Sequence, residues 1–248
     1  MINSVRSTVL SLTNKNNFGY ITPKDFNLYA KQAQLDLFLD YFFQYNYQIS
    51  KENVRQSGTD AANISQQIKE VIDIFTTPFV ELNHDTDNKF DEPSEITTGS
   101  NPYMILKVAC FDTTPTPKKL IAEADKISVT QEVSIRLSNL QQPSSQFPVY
   151  VLRDKKVILY PDTYNAQGQI ECSYIRFPKD PKWTFTTLVN GTAVFDPTQS
   201  DFQDFELRLD DEVSLVTKIC QYAGLQIREQ EVVQFMKSDE AMNQQTKQ

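Results

Sequence analysis

The chain has 248 residues but only one histidine, three cysteines, one tryptophan and six glycines, and each scarcity removes a kind of chemistry. With a single histidine, His84, no histidine-pair metal site can form, and its polar, acidic surroundings argue against a histidine-based catalytic triad. So few glycines leave no GxGxxG and no GxxxxGK[ST], the backbone cradles for phosphates. Cys110, Cys172 and Cys220 are far apart, odd in number and without a C-x-x-C spacing, so they read as buried free thiols. No apolar run approaches the roughly 18 residues of a membrane span, and the opening "MINSVRSTVLSLTNKNN" is too polar for a signal-peptide core. The expectation is a soluble protein made in a cytoplasm.

Positive charge is also in short supply. Lys and Arg number 24 against 32 Asp and Glu, a net charge of -8. The densest basic cluster, "RDKK" at 153–156, has the look of a hairpin turn rather than a phosphate-binding patch. Tight nucleic-acid binding is therefore disfavoured, although an acidic surface suits DNA that must slide past without sticking.

What the chain does have is apolar surface in unusual places. "YITPKDFNLYAKQAQLDLFLDYFFQYNYQI" (20–49) starts with Thr22 as N-cap, Pro23 at the first helical position and Asp25 facing the positive end of the dipole. A helix over 23–49 would run roughly 40 Å. Phe26, Tyr29, Ala30, Ala33, Leu37 and Tyr41 form one stripe at 100° per residue. Leu28, Leu35, Phe38, Leu39, Phe42, Tyr45 and Ile49 form a second on nearly the opposite side. Two apolar faces mean a sandwiched helix. It is either the centre of the protein's own bundle or a helix shared with a neighbouring subunit, and periodicity does not separate the two.

The remaining pattern is helices, then hairpins, then helices. Val5, Val9 and Leu12 mark a short first helix over 2–12. Ala61, Ile64, Ile68, Val71, Ile72 and Phe75 mark a third, ended by Pro78. Residues 83–101 are polar, acidic and aperiodic, and are expected to form a mobile loop. "PYMILKVACF" reads as a strand, "SVTQEVSIRLSNL" as a short helix with a Ser128–Gln131 capping box, and "FPVYVLRDKKVILYP" as strand, turn, strand. "QIECSYIRFP" is another strand, and Asn190-Gly191 calls for a two-residue hairpin turn. "DDEVSLVTKICQYAG" is a helix with Val213, Val216, Ile219, Cys220 and Ala223 at core spacing and Gly224 as its C-cap. The expected class is α+β: a helical bundle formed by the N- and C-terminal thirds with a central β-hairpin-rich excursion. The corresponding parts are 1–80 (bundle), 81–208 (β-rich, with a short helix) and 209–248 (C-terminal helices and tail).

No catalytic constellation emerges. Asp85, Asp87, Asp91 and Glu92 near His84 lack the spacing and central glycine of an EF-hand loop. Trp183 with Phe185 and Tyr174 could stack on bases, but without basic neighbours hairpin packing is the better reading. The expectation is a protein that is not an enzyme, with no cofactor and no catalytic or metal residues.

Several segments carry a resemblance. "MINSVRSTVLSLTNKNNFGYITPKDFNLYAKQAQLDLF" resembles the opening of ring-forming structural proteins of crAss-like tailed phages. "IRFPKDPKWTF…NGTAVFDPTQSDFQDFEL" followed by "DDEVSLVTKICQYAGLQIREQEVVQF" resembles the end of the same group, and "EADKISVTQEVSIRL" with "FPVYVLRDKKVILYP" is similar to its middle. These proteins resemble the head-to-tail adaptors of short-tailed phages. The resemblance implies an adaptor-like bundle and a virion protein at the head–tail interface, made in the host bacterial cytoplasm. It implies a twelve-fold ring beneath the portal, contacts with portal and neighbouring ring or hub proteins, transient non-specific contact with passing DNA, and no membrane. Other tail-hub or cargo-associated roles, or less readily a nucleic-acid-binding module, are the alternatives. Leu28, Leu35, Phe38, Phe42 and Tyr45 are the candidate inter-subunit residues. Val232, Phe235 and Met236, at i, i+3 and i+4 in the tail, are the candidates for docking on the portal or a ring.

Overall fold

Thr22 opens the longest element as its sequence requires. Its hydroxyl oxygen accepts from the Asp25 amide at 3.2 Å and its hydroxyl donates to the Asp25 carboxylate at 2.6 Å. The computed structural model describes residues 1–14, 21–54, 64–93, 101–189 and 191–227. The helices are α1 (Ile2–Asn14), α2 (Pro23–Val54), α3 (Ile64–Asp73), α4 (Glu132–Leu137) and α5 (Glu212–Ile227), the last preceded by a 3₁₀ turn over Leu209–Asp211. The strands are β1 (Thr76–Glu81), β2 (Lys89–Asp91), β3 (Pro102–Asp112), β4 (Lys119–Lys126), β5 (Val149–Arg153), β6 (Lys156–Tyr160), β7 (Ile170–Arg176), β8 (Phe185–Thr187) and β9 (Ala193–Phe195). They fall into two units: Met1–Val71 together with Pro178–Gln248, and Ile72–Phe177.

In the first unit, one α2 stripe (Phe26, Ala30, Ala33, Leu37) is buried against Ile2, Val5 and Val9 of α1 and Leu215, Val216, Ile219, Cys220 and Ala223 of α5. Val213, counted as a core position from its spacing, is exposed; Leu215 takes the buried place. Gly224 does not end the last helix, because α5 continues to Ile227. Trp183 sits in the same core, stacked on Phe185 and Phe195 with ring centroids 5.6 and 5.9 Å away. Two polar α2 side chains, two turns apart, hold the segment that carries it. Asn27 bonds both backbone groups of Trp183, and Gln34 donates to Lys179 O at 2.7 Å and accepts from Glu206 N at 3.0 Å. The hydroxyls of Tyr41 and Tyr222 donate to Asp211 and Asp36, tying α2 to the α5 region. The β8–β9 hairpin closes through Leu188 and Thr192 (N–H to O, 2.9 Å), which leaves three loop residues rather than two. Gly191, at φ +80°, takes the left-handed position that completes such a loop; Asn190 itself lies outside the described residues.

The second unit overturns the expectation of a helical bundle with a β-excursion. The protein is dominated by a curled seven-stranded sheet of half-barrel character, in the order β1-β7-β3-β4-β5-β6-β2. This sheet has its own core. Ile170, Cys172 and Tyr174 of β7, Val157 and Leu159 of β6, and Val108 and Cys110 of β3 point inward at the two-residue period of a strand. They meet Phe90, Ala124, Tyr150 and Tyr164 there. β5 and β6 pair through a two-residue turn, Asp154 and Lys155 at φ +54° and +59°, the primed geometry that matches strand twist. The sheet's first and last strands are consecutive in the chain. Beyond β1, Leu82 N–H still reaches Ile170 O (3.0 Å), then His84 bridges Phe90 and Asp91 N–H donates to Asn83 O (2.9 Å). The stretch expected to be a mobile loop is thus, over 83–93, an ordered hairpin joining the two margins of the sheet; 94–100 lie outside the described residues. α3 stops at Asp73, and Pro78, read as a helix stop, lies inside β1.

Candidate interaction surfaces

The second stripe of α2 divides in two. Phe38 is fully buried, with the Phe42 ring edge-on at 5.0 Å, while Leu35, Phe42 and Tyr45 are half-buried. Leu28 and Leu39 are exposed, and Phe43, which the sequence pattern did not single out, is 70% exposed. On a helical wheel Leu28, Leu35, Leu39 and Phe43 lie within about 80° of one another, opposite Phe26, Ala30, Ala33 and Leu37. The outward apolar face is therefore Leu28–Leu35–Leu39–Phe43, and Phe38 belongs to the inner side. Val232, Phe235 and Met236 lie outside the described residues.

A second apolar surface lies on α4. The expected capping box is half formed: the Gln131 side chain reaches back to the Ser128 amide at 3.4 Å, while the Gln131 amide bonds the Ser128 carbonyl instead of its hydroxyl. The helix is only six residues long, and its one buried residue is Glu132. Tyr160 of β6 donates its hydroxyl to that carboxylate, with Arg153 3.6 Å and Arg136 3.9 Å away. Val133 and Leu137 point to solvent. A sequence signal existed for this surface: Ile127 to Leu152 contains only Glu132 and Arg136 as charged residues, in a chain that is 23% charged.

The groups that might carry chemistry are committed elsewhere. His84 Nε2 lies 2.7 Å from Asp87 O, its amide donates to Gln167 Oε1, and its ring meets Phe90 edge-on. Of the acids near it, Asp85 pairs with Lys156, and Asp91 lies 3.9 Å from the same ammonium, which occupies the place a cation would take. The hydrogen bond from Lys156 holds the Asp85 carboxyl below its ordinary range, and Lys156 is raised in return. Among the described residues no group of His, Cys, Asp and Glu could hold a metal ion. Burial pushes the thiols of Cys110 and Cys172 up to about 12 and that of Cys220 up to about 11, far from a nucleophile's range. Trp183 and Tyr174 are each buried in a core, so neither ring offers a face for stacking on a base.

A polar cleft of about 320 Å³ is lined by Asp87, Asn88, Arg136, Tyr160, Asp162 and Asn165. The Asn88 amide already serves Leu159 O and Asp162, and Arg136 lies over the Tyr160 ring at 4.5 Å. Among the described residues no helix is long and apolar enough to cross a membrane. No protein-family model matches the chain, and no curated protein does.

Proposed function

We propose that the chain is a structural subunit of a tailed-phage virion, one copy of a twelve-fold ring in the head-to-tail connector beneath the portal, and that it is not an enzyme. The observation that carries this reading is the outward face of α2. A helix that already gives one stripe to its own core carries Leu28, Leu39 and Phe43 in solvent on the other side. Soluble monomers rarely leave such a face uncovered. The resemblance to crAss-like ring proteins supports a ring, in which each copy needs two different complementary surfaces. The net charge of -8 supports a conduit that DNA passes without adhering. Residues 228–248, with Val232, Phe235 and Met236, are proposed to dock the subunit on the portal or a neighbouring ring.

The test is native mass spectrometry of the full chain mixed with its portal. A stoichiometric complex with twelve copies is expected. No complex, or only a stable dimer, would count against the ring. Truncation after Ile227, the end of α5, is expected to leave a cooperatively folded chain that no longer binds the portal, and Phe235→Ala is expected to weaken binding by roughly 1–3 kcal/mol. A folded truncated chain that binds the portal unchanged removes the docking role from the tail.

A further inference from the structure

Helix α4 is turned inside out. Its acid, Glu132, is 8% exposed, whereas Val133 and Leu137, one turn apart, are 65% and 78% exposed. Val129 and Leu140 stand exposed in the turns before and after it, Leu140 at 97%. A buried carboxylate is tolerable only when paired, and here Tyr160, Arg153 and Arg136 surround it. That anchor fixes which side faces the sheet, so the aliphatic side cannot rotate inward without stripping Glu132 of its partners. The apolar stripe is therefore held outward by design of the local contacts rather than left over from poor packing.

Charge indicates what can cover it. Two copies of a chain with net charge -8 repel one another across most of their surfaces. They can approach cheaply where net charge is absent, and the 127–152 stretch, whose one acid and one base cancel, is such a place. Tyr41 to Ser50 of α2 is another: ten residues without a charge, including the exposed Phe43. We propose that the α4 stripe of one copy (Val129, Val133, Leu137, Leu140) packs against the exposed α2 face (Leu39, Phe43) of a second copy of the same chain. The contact joins two different surfaces, so it can repeat around a closed ring. The choice of a second copy, and of its α2 face, rests on the ring reading above.

Disulfide trapping on the full chain tests it. The three native cysteines are buried, so a cysteine introduced at the surface reacts selectively. Chains carrying Val133→Cys and chains carrying Phe43→Cys are mixed under mild oxidation, with and without the portal. Far-UV circular dichroism confirms that each remains folded. The 133–43 cross-link is expected to exceed either like-with-like cross-link by at least about tenfold, and adding Leu137→Asp to the first chain is expected to suppress it by a similar factor. Predominant 133–133 pairing, a yield equal to that of a Val189→Cys control, or insensitivity to Leu137→Asp overturns the proposal. A portal-bound ring without the 133–43 cross-link sinks this contact and leaves the ring reading standing. The cross-link without any portal complex does the reverse.

Discussion

Asn27 of α2 spends its whole side chain on one residue. Its amide oxygen accepts from the Trp183 N–H at 2.9 Å, and its amide nitrogen donates to the Trp183 carbonyl at 3.2 Å. Trp183 is 2% exposed. Asn27→Ala therefore strands a donor and an acceptor at the part-buried margin of the first unit's core. Each unsatisfied group costs about 1–3 kcal/mol, and partial entry of water through the vacated space brings the expected total to about 2–4 kcal/mol. For a protein of this size that corresponds to a fall in Tm of about 5–15 °C. The assay is urea unfolding followed by the fluorescence of the chain's only tryptophan, which is the perturbed residue itself. Asn27→Asp, which keeps the acceptor but sets a carboxylate against the carbonyl, should unfold earlier than the natural chain too. Asn3→Ala removes only the acceptor of the Trp183 indole N–H (3.1 Å) at an exposed position, where water can substitute, and should cost about 1 kcal/mol or less. An Asn27→Ala chain within about 0.5 kcal/mol of the natural one would refute the reasoning, since that is what an unconnected surface change costs.

On the ring reading proposed above, His84→Ala should leave particle assembly and infectivity intact, because the histidine braces a hairpin; assembled but non-infectious particles would point to chemistry there. Lys156→Met should alter the pH profile of stability in a defined direction. Asp85, held below its ordinary 3.8 in the folded chain, stabilises it above that value and ceases to as pH falls through the lowered pKa. Lys156, raised above 10.5, stabilises below that value and ceases to as pH rises through the raised pKa. The stability gap between natural and variant chains should thus be widest between these limits and shrink at both ends; parallel curves in denaturant titrations across pH would show that the pair contributes nothing.

The helices were legible because their signals are local. Thr22-Pro23 with Asp25, and the Val5–Val9 and Ile219–Ala223 spacings, are complete within a few residues. The sheet was harder to read, for reasons visible in its strands. β1 follows α3 without a break in apolar spacing, so Phe75 extends a helical stripe although the helix has ended at Asp73. β2 is three residues long inside an acidic stretch, and only pairing with β6 and with 83–85 makes it a strand. β4 alternates charged and apolar residues weakly, and its partner β3 lies across a proline-rich turn. Long-range pairing decided all three, and no local window contains it. The α2 outer face was half legible: periodicity found Leu28, Leu35 and Leu39 but placed the buried Phe38 among them, since a wheel cannot tell which flank of a broad stripe meets the rest of the chain. The α4 surface has no periodic signature of its own, because a short helix is ordinarily expected to bury its aliphatics; the charge-poor run around it is its one pointer in the sequence.

The curled sheet is unevenly fastened. β5 and β6 share five registered pairs and β2 and β6 three, but β4 and β5 meet in parallel through two only, Asp125 with Val149 and Lys126 with Tyr150. On the opposite side the margins are joined by the covalent 83–91 turn. Mechanically this is a clasp, hinged at the turn and buttoned at the β4–β5 seam. With so few pairs, that seam is the place where the sheet is expected to part first, at lower free energy than the whole unit unfolds. Cys110 and Cys172 are buried in the interior, so if the seam is what opens, a stabilising change at Asp125–Val149 should slow their reaction with a thiol reagent under native conditions.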